Sequence, residues 1–148
     1  MNWLGQKKAV FAGCARDSAV HLPALFANIE GMAALFGKSA FVFVENGSAD
    51  STRGDLEAWC RRRPDAGVLS PDTRAAASNL RSMRIAGARN AYLSLIRAVF
   101  ADFDYLIVND EFGDALAELR AIVVARRLRR DVQYARHAAL IGELLKPA

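Results

Sequence analysis

Apolar and polar positions follow one another along this chain in blocks typical of alternating strands and helices. Short apolar runs bounded by polar or turn residues predict strands at 9–14, 41–45, 67–69 and 104–110. Apolar residues recurring every three or four positions predict helices over 22–36, from Asp50 or Ser51 to about Arg62, and over 82–100. This order predicts an α/β fold, a mainly parallel sheet with helices on both faces.

Polar residues follow several of the predicted strands. Right-handed crossovers place the carboxyl ends of parallel strands along one rim of the sheet. That rim would hold the pair Arg16 and Asp17, the pair Glu45 and Asn46, the loop after Leu69, and Asp110. Because open α/β sheets bind ligands outside these strand ends, we expect a ligand there.

Composition narrows the class of protein. With 148 residues, 53% of them hydrophobic, the chain is expected to form a globular domain with a real core. No apolar run approaches the ~20 residues of a membrane span and the start does not resemble a signal peptide, so a cytoplasmic protein is expected. Cys14 and Cys60 lie far apart and predict neither a disulfide framework nor a zinc site. The net charge of +4 permits an anionic partner: a phosphorylated substrate, nucleic acid or acidic lipid.

The octet Glu45-Asn46-Gly47-Ser48-Ala49-Asp50-Ser51-Thr52 joins a predicted strand to a predicted helix. It has two interpretations. One is a strand-to-helix turn with an Asx or Ser cap. The other is a ligand-binding crevice, since this octet resembles the acidic, Gly-Ser, Asp, Thr signature of family-2-like glycosyltransferases with the GT-A fold.

Three further segments extend the resemblance over about residues 9–110: Gly13 to Asp17, Arg84 to Leu93, and Asp104 to Asp110. It implies a nucleoside-diphosphate sugar as donor. Arg16, Glu45 and Asn46 would then face the nucleoside, and Arg89 with Asn90 would lie beside the diphosphate. A planar guanidinium suits a diphosphate because it donates to two oxygens at once.

The resemblance also implies a divalent metal, Mn²⁺ or Mg²⁺, bound by an Asp-X-Asp motif and bridging to the diphosphate. Asp110 matches the first acid of that motif. The second acid would fall on Phe112, which supplies no ligand, so the metal site is incomplete by this pattern.

After Asp110 the chain departs from the family. We predict a nucleotide-sugar-binding α/β domain over 1–112 and a basic helical tail over 113–148. Three interpretations of the tail stay open: helices covering a sheet edge, an Arg126–Arg130 run that binds nucleic acid or an anionic membrane surface, or sequence from a shifted reading frame.

The leading functional prediction is therefore a truncated glycosyltransferase that moves a sugar to an acceptor hydroxyl. Whether it is an active enzyme stays open, because the half that supplies the acceptor site and the catalytic base is missing. The alternatives are a non-catalytic nucleotide-binding remnant and, less favoured, a basic α/β protein that binds nucleic acid through its tail. The acceptor and the oligomeric state cannot be named from the sequence.

Overall fold

A computed structural model describes residues 3–70, 80–108, 112–126, 128, 130–139 and 142. The chain divides into two compact units, Met1–Glu111 and Phe112–Ala148. The first is an α/β unit, and the described part of the second is helical. The predicted fold class, an α/β sheet with a helical tail, is confirmed.

The first unit alternates strands with helices. A 3₁₀ turn, Trp3–Gln6, precedes strand β1 (Lys8–Ala15), and a second, Ala19–His21, precedes helix α1 (Leu22–Ala33). Strand β2 (Lys38–Glu45), helix α2 (Thr52–Cys60) and strand β3 (Ala66–Leu69) follow. Helix α3 (Arg81–Val99) and strand β4 (Tyr105–Val108) complete the described part of this unit.

The four described strands form one parallel sheet in the order β3-β2-β1-β4. Strands β1 and β2 pair along their full length, from Lys8 opposite Lys38 to Ala15 opposite Glu45. The chain steps in one direction from β1 to β3 and then returns to the far side of β1 for β4. The direction of the strand order therefore reverses between β1 and β4.

The two faces of the sheet have different cores. Side chains of β1 and β2 pack on helix α3 through small and branched residues: Val10, Ala12, Ala40, Val42 and Val44 meet Ala88, Tyr92 and Ile96. The other face is aromatic. There Trp59 of α2 stacks on Phe26 of α1 at 4.8 Å and meets Phe41 and Phe43 edge-on. Because alternate residues of a strand face opposite sides, one strand serves both cores.

The second unit contains helix α4 (Phe112–Arg126) and helix α5 (Arg130–Arg136). Leu119 of α4 is buried, whereas Val124, Leu128 and Tyr134 are exposed. Within the described ranges, no helix combines the length and apolarity needed to cross a membrane. Positions 127 and 129 of the basic run Arg126–Arg130 lie outside the described residues. Binding of nucleic acid or an anionic membrane surface by this run therefore remains a prediction.

Candidate functional site

The carboxyl rim consists of the loops that follow β1 and β2, residues 16–18 and 46–51. It is the described part of the sheet edge at which an open α/β fold binds ligands. The loops after β3 and β4 continue into 71–79 and 109–111, which lie outside the described residues. The predicted metal ligand Asp110 therefore falls outside them as well, and so does the side chain of Phe112.

Reciprocal hydrogen bonds join the two loops of the carboxyl rim. The Asp17 N–H donates to Ser48 Oγ at 3.0 Å, and the Ala49 N–H donates back to Asp17 Oδ1 at 2.7 Å. Asp17 has a positive φ of 46°, a conformation that Asp tolerates better than most residues because its short side chain bonds locally. The two loops are thus held as one surface.

A second set of bonds centres on Thr52, which is fully buried at the start of α2. The Ser18 N–H donates to Thr52 Oγ1 at 2.7 Å. Asp50 accepts the Thr52 N–H at 2.9 Å and the Ala19 N–H at 3.0 Å. A hydrogen bond from the Thr52 side chain, followed by these backbone bonds, lowers the pKa of the Asp50 carboxyl from its ordinary value. Asp50 therefore remains a carboxylate that ties the start of α2 to the β1 loop.

Glu45 and Asn46 are both buried at the end of β2, although the sequence places them at a ligand crevice. Glu45 Oε1 accepts the Ser48 N–H at 2.5 Å, which closes the turn around Gly47 at its positive φ of 69°. The Asn46 N–H donates to the Ala15 carbonyl at 3.0 Å. Its side-chain oxygen, Oδ1, is buried and has no hydrogen-bond partner within the described residues. A buried polar atom without a partner is unusual and calls for an explanation.

Arg16 is an exposed residue beside this turn. Its Nε lies 3.5 Å from Asp17 Oδ2, a surface ion pair of the kind that contributes little to stability. Arg16 follows β1 and so stands next to the switch point between β1 and β4.

Arg89 and Asn90 lie in the middle of α3. Both are exposed and follow Ala88, the residue of α3 that is buried against the sheet. Their contact with a nucleotide remains a prediction.

The residues that organise the rim, Asp17, Ser48 and Thr52, are not among those the sequence nominates as ligand contacts. The sequence does contain a pattern that could have identified them, since they are polar, turn-forming residues shortly after a predicted strand. The same signal supports both interpretations of the octet, and in the structure the octet makes turn and capping bonds.

The described residues contain no cluster of three or more His, Cys, Asp or Glu side chains able to hold a metal ion. The carboxylates of Asp17, Glu45 and Asp50 accept backbone N–H groups instead. These three side chains thus hold the turns and loops of the rim together. The predicted metal depends on Asp110, outside the described range.

Comparison with known proteins changes the functional interpretation. A guanylate kinase of Xanthomonas euvesicatoria pv. vesicatoria is 46% identical over 65 residues, which cover 44% of this chain and 30% of that protein. Guanylate kinases of Salmonella typhimurium and Escherichia coli K12 are 54% identical over 46 residues, 31% of this chain and 22% of theirs. No family model matches the chain.

The glycosyltransferase assignment is therefore wrong, and with it the nucleoside-diphosphate sugar donor and the transfer to an acceptor hydroxyl. The physical reason is the ambiguity of the octet, since an acid, a glycine and hydroxyl residues after a strand also build a hydrogen-bonded turn. The matched segments span less than a third of these relatives' length. The alternative of a nucleotide-binding protein without turnover agrees better with them.

Proposed function

We propose that this chain is a nucleotide-binding module that holds a nucleotide at the carboxyl rim and does not itself transfer a phosphoryl group. The observation that carries the proposal is the strand order β3-β2-β1-β4, whose reversal lies between β1 and β4. Ligands of open α/β sheets bind outside the strand ends at such a reversal. The hydrogen bonds between the two rim loops support a preformed surface there.

The nucleotide we propose is guanylate. The partial similarity to proteins named guanylate kinase supports this choice. So does the chemistry of Glu45 and Asn46, because a carboxylate and an amide oxygen are hydrogen-bond acceptors. The N1–H and the N2 amino group of guanine are donors that such acceptors can bind. A ligand donor would also satisfy Asn46 Oδ1, the buried oxygen that has no partner among the described residues.

Arg16 is our candidate for the phosphate contact. Its side chain is 43% exposed, and its Nε lies 3.5 Å from the Asp17 carboxylate. A guanidinium donates two parallel hydrogen bonds to a phosphate, and such charge-assisted bonds are stronger than neutral ones. Arg89 and Asn90 remain further candidates for the phosphate side, from the middle of α3.

We favour binding over phosphoryl transfer because this sequence does not match the phosphate-loop (P-loop) pattern. Phosphoryl transfer by a P-loop enzyme uses Gly-x₄-Gly-Lys-Ser/Thr between a strand and a helix. The nearest sequence here is Gly37-Lys38-Ser39, preceded by Gly31 with five residues between the glycines. Lys38 and Ser39 begin β2 instead of opening a helix, so they lie at the amino end of the sheet.

A divalent cation is compatible with this proposal. Mg²⁺ is usually held by one or two carboxylates together with substrate phosphates, so a nucleotide would supply part of the site. Asp110 is the candidate carboxylate from the protein. The chemistry of such an ion would be neutralisation of phosphate charge.

The test is calorimetric titration of the full chain with GMP, using AMP and UMP as comparison ligands and repeating each with Mg²⁺. We expect saturable binding of GMP and at least about tenfold weaker binding of AMP. Arg16→Ala should weaken GMP binding by about tenfold through loss of a charge-assisted contact.

Arg97→Ala is the matched control, because Arg97 is an exposed arginine in the last turn of α3. It should bind GMP as the unmodified chain does. A folded sample that binds none of the three nucleotides would contradict the proposal, and equal losses in both arginine variants would remove Arg16 from the site.

A further inference from the structure

A groove lies at the other end of the sheet, between the carboxyl end of α2 and strand β3. Its volume is about 480 Å³. It is lined by Glu57, Cys60, Arg61, Arg63, Ala66, Gly67 and Val68. These elements belong to the α/β unit, and the groove is separate from the carboxyl rim.

Strand β3 is an edge strand of the described sheet, paired on one side with β2 only. All four of its residues are half-buried. The Phe41 N–H donates to the Asp65 carbonyl at 2.8 Å, which fixes the ladder between the two strands. Because the backbone groups of a strand alternate in direction, those of Val68 then point away from β2. An edge with free backbone groups is a template for another strand.

Arg61 lines the groove beside this edge, and Arg62 is the next residue in the chain. Arg61 and Arg62 follow α2, and both are exposed. Within the described residues neither makes an ion pair, whereas other arginines of the unit do. Arg63 is held against Trp59, with its guanidinium 3.8 Å from the ring centre, and pairs with Glu30. The groove also contains Glu57, whose carboxylate is taken by Arg53 at 2.9 Å.

The chemistry of the lining argues against a catalytic site. Burial raises the pKa of the Cys60 thiol to about 11, so it is not a thiolate near neutral pH. Gly67 leaves open space, since a Cβ added there would meet no atom within 4 Å. The groove is therefore open above Gly67, on the side from which a side chain of an incoming strand would approach.

We infer that the edge of β3 binds an extended, acidic segment of a partner protein as an additional strand. Backbone hydrogen bonds to β3 would give affinity, alternate side chains would enter the groove over Gly67, and carboxylates would pair with Arg61 and Arg62. The acidic character follows from charge complementarity with two cations that have no partner in the described part of the chain.

The probe is a short fluorescein-labelled peptide of alternating glutamate and valine, with a lysine–valine peptide of equal length as its counterpart. Fluorescence anisotropy with the full chain should show binding of the acidic peptide, weakening as salt rises from about 0.05 M to about 0.5 M. The double variant Arg61→Glu/Arg62→Glu should bind it about tenfold more weakly. Arg97→Glu, an exposed arginine on α3, is the matched control and should bind as the unmodified chain does.

A second variant tests the strand itself. Val68→Pro removes one outward N–H of an edge strand, a position at which proline is tolerated, and should abolish peptide binding. Amide NMR shifts on adding the peptide should centre on Gly67 and Val68 in the unmodified chain. This shift map tests the edge even if the proline variant does not fold.

The inference is overturned by equal binding of the lysine peptide, by unchanged binding in the double arginine variant, or by shifts confined to the carboxyl rim. Dimerisation of the chain through β3 without peptide, seen in sedimentation, would assign the edge to a second copy and overturn it too. Binding of GMP is not involved in any of these measurements, so the proposal at the rim is tested separately.

Discussion

The backbone of Asp17 donates to Ser48 Oγ at 3.0 Å, while the side chain of Asp17 accepts from the residue after Ser48 at 2.7 Å. These two residues are 31 positions apart and belong to loops after neighbouring parallel strands. Their bonds convert two connecting loops into a single surface. Since preorganised surfaces bind ligands with a smaller entropic cost, this pair is central to the nucleotide-binding proposal.

Substitution of Asp17 should separate its backbone role from its side-chain role. Asp17→Ala loses the acceptor for Ala49 and places alanine at a φ of 46°. We expect a loss of about 1 to 2 kcal/mol in the free energy of unfolding, measured by urea denaturation. Asp17→Asn keeps both an acceptor oxygen and tolerance of this φ, so it should lose less. Equal losses in the two variants would contradict this account of the turn.

Strand and helix positions were predictable because local periodicity encodes them. The strand predicted at 9–14 spans Lys8–Ala15, and the helix predicted over 82–100 spans Arg81–Val99. The spacing of apolar residues was a less accurate guide to which side of that helix faces the sheet. Val99, one of the apolar positions of the predicted helix, is 56% exposed, whereas Tyr92 is buried against the sheet. A helix end that extends past its sheet cannot be recognised from spacing alone.

The function was not predictable in the same way. The residues from Glu45 to Thr52 satisfy one another through hydrogen bonds within and between loops, and such bonds need the same side chains as ligand recognition. Local sequence does not say which use prevails. The switch point of the sheet depends on the position of β4 beside β1, a contact between residues about a hundred positions apart.

Gly37 should be among the least replaceable glycines of the described chain. Its N–H donates to the carbonyls of Leu4 and Lys7, and a Cβ added at Gly37 would overlap the carbonyl oxygen of Gly5. We expect Gly37→Ala to lower the free energy of unfolding by about 2 to 3 kcal/mol through overpacking against backbone.

Gly31→Ala is the control for that substitution. Gly31 lies inside α1, and an added Cβ would meet no atom within 4 Å. Alanine should therefore stabilise the helix there by about 0.5 to 1 kcal/mol. Urea denaturation of the two variants measures both effects, and similar behaviour of the two would show that the contact with Gly5 is unimportant.

Acid should destabilise the α/β unit through two aspartates before β4. A hydrogen bond from Lys7 lowers the pKa of the Asp104 carboxyl, and one from Lys8 lowers that of Asp102. Groups with a depressed pKa in the folded state stabilise it above their unfolded pKa, about 3.9 for Asp. That stability is lost as the pH falls through the lower folded value.

The measurement is the urea midpoint from about pH 6 down to about pH 2.5. Asp104→Asn should be less stable than the unmodified chain at pH 6 and should lose less stability as the pH falls. High salt should reduce the difference, because the pair of Lys7 with Asp104 at 2.7 Å is partly exposed. An unchanged slope below pH 4 in Asp104→Asn would show that other carboxyls govern acid unfolding.

Asn46 connects stability with the proposed ligand. Its Oδ1 is buried and lacks a partner in the described part of the chain, so it destabilises the free protein. Asn46→Leu has a similar shape and removes that oxygen. We therefore expect its unfolding free energy without ligand to equal or exceed that of the unmodified chain. If a nucleotide donor satisfies Oδ1, GMP at about a hundred times its Kd should stabilise the unmodified chain by about 2.7 kcal/mol, and the increment should fall in Asn46→Leu.

Asn28→Leu is the control for this last substitution, because Asn28 is exposed on α1 and has no part in the rim. It should retain the full increment from GMP. Urea denaturation with and without GMP measures all three chains. If Asn46→Leu is strongly destabilised without ligand, the side chain is held by a structural bond to residues beyond those described. If it is stable and keeps the full increment, guanylate does not bond to Asn46.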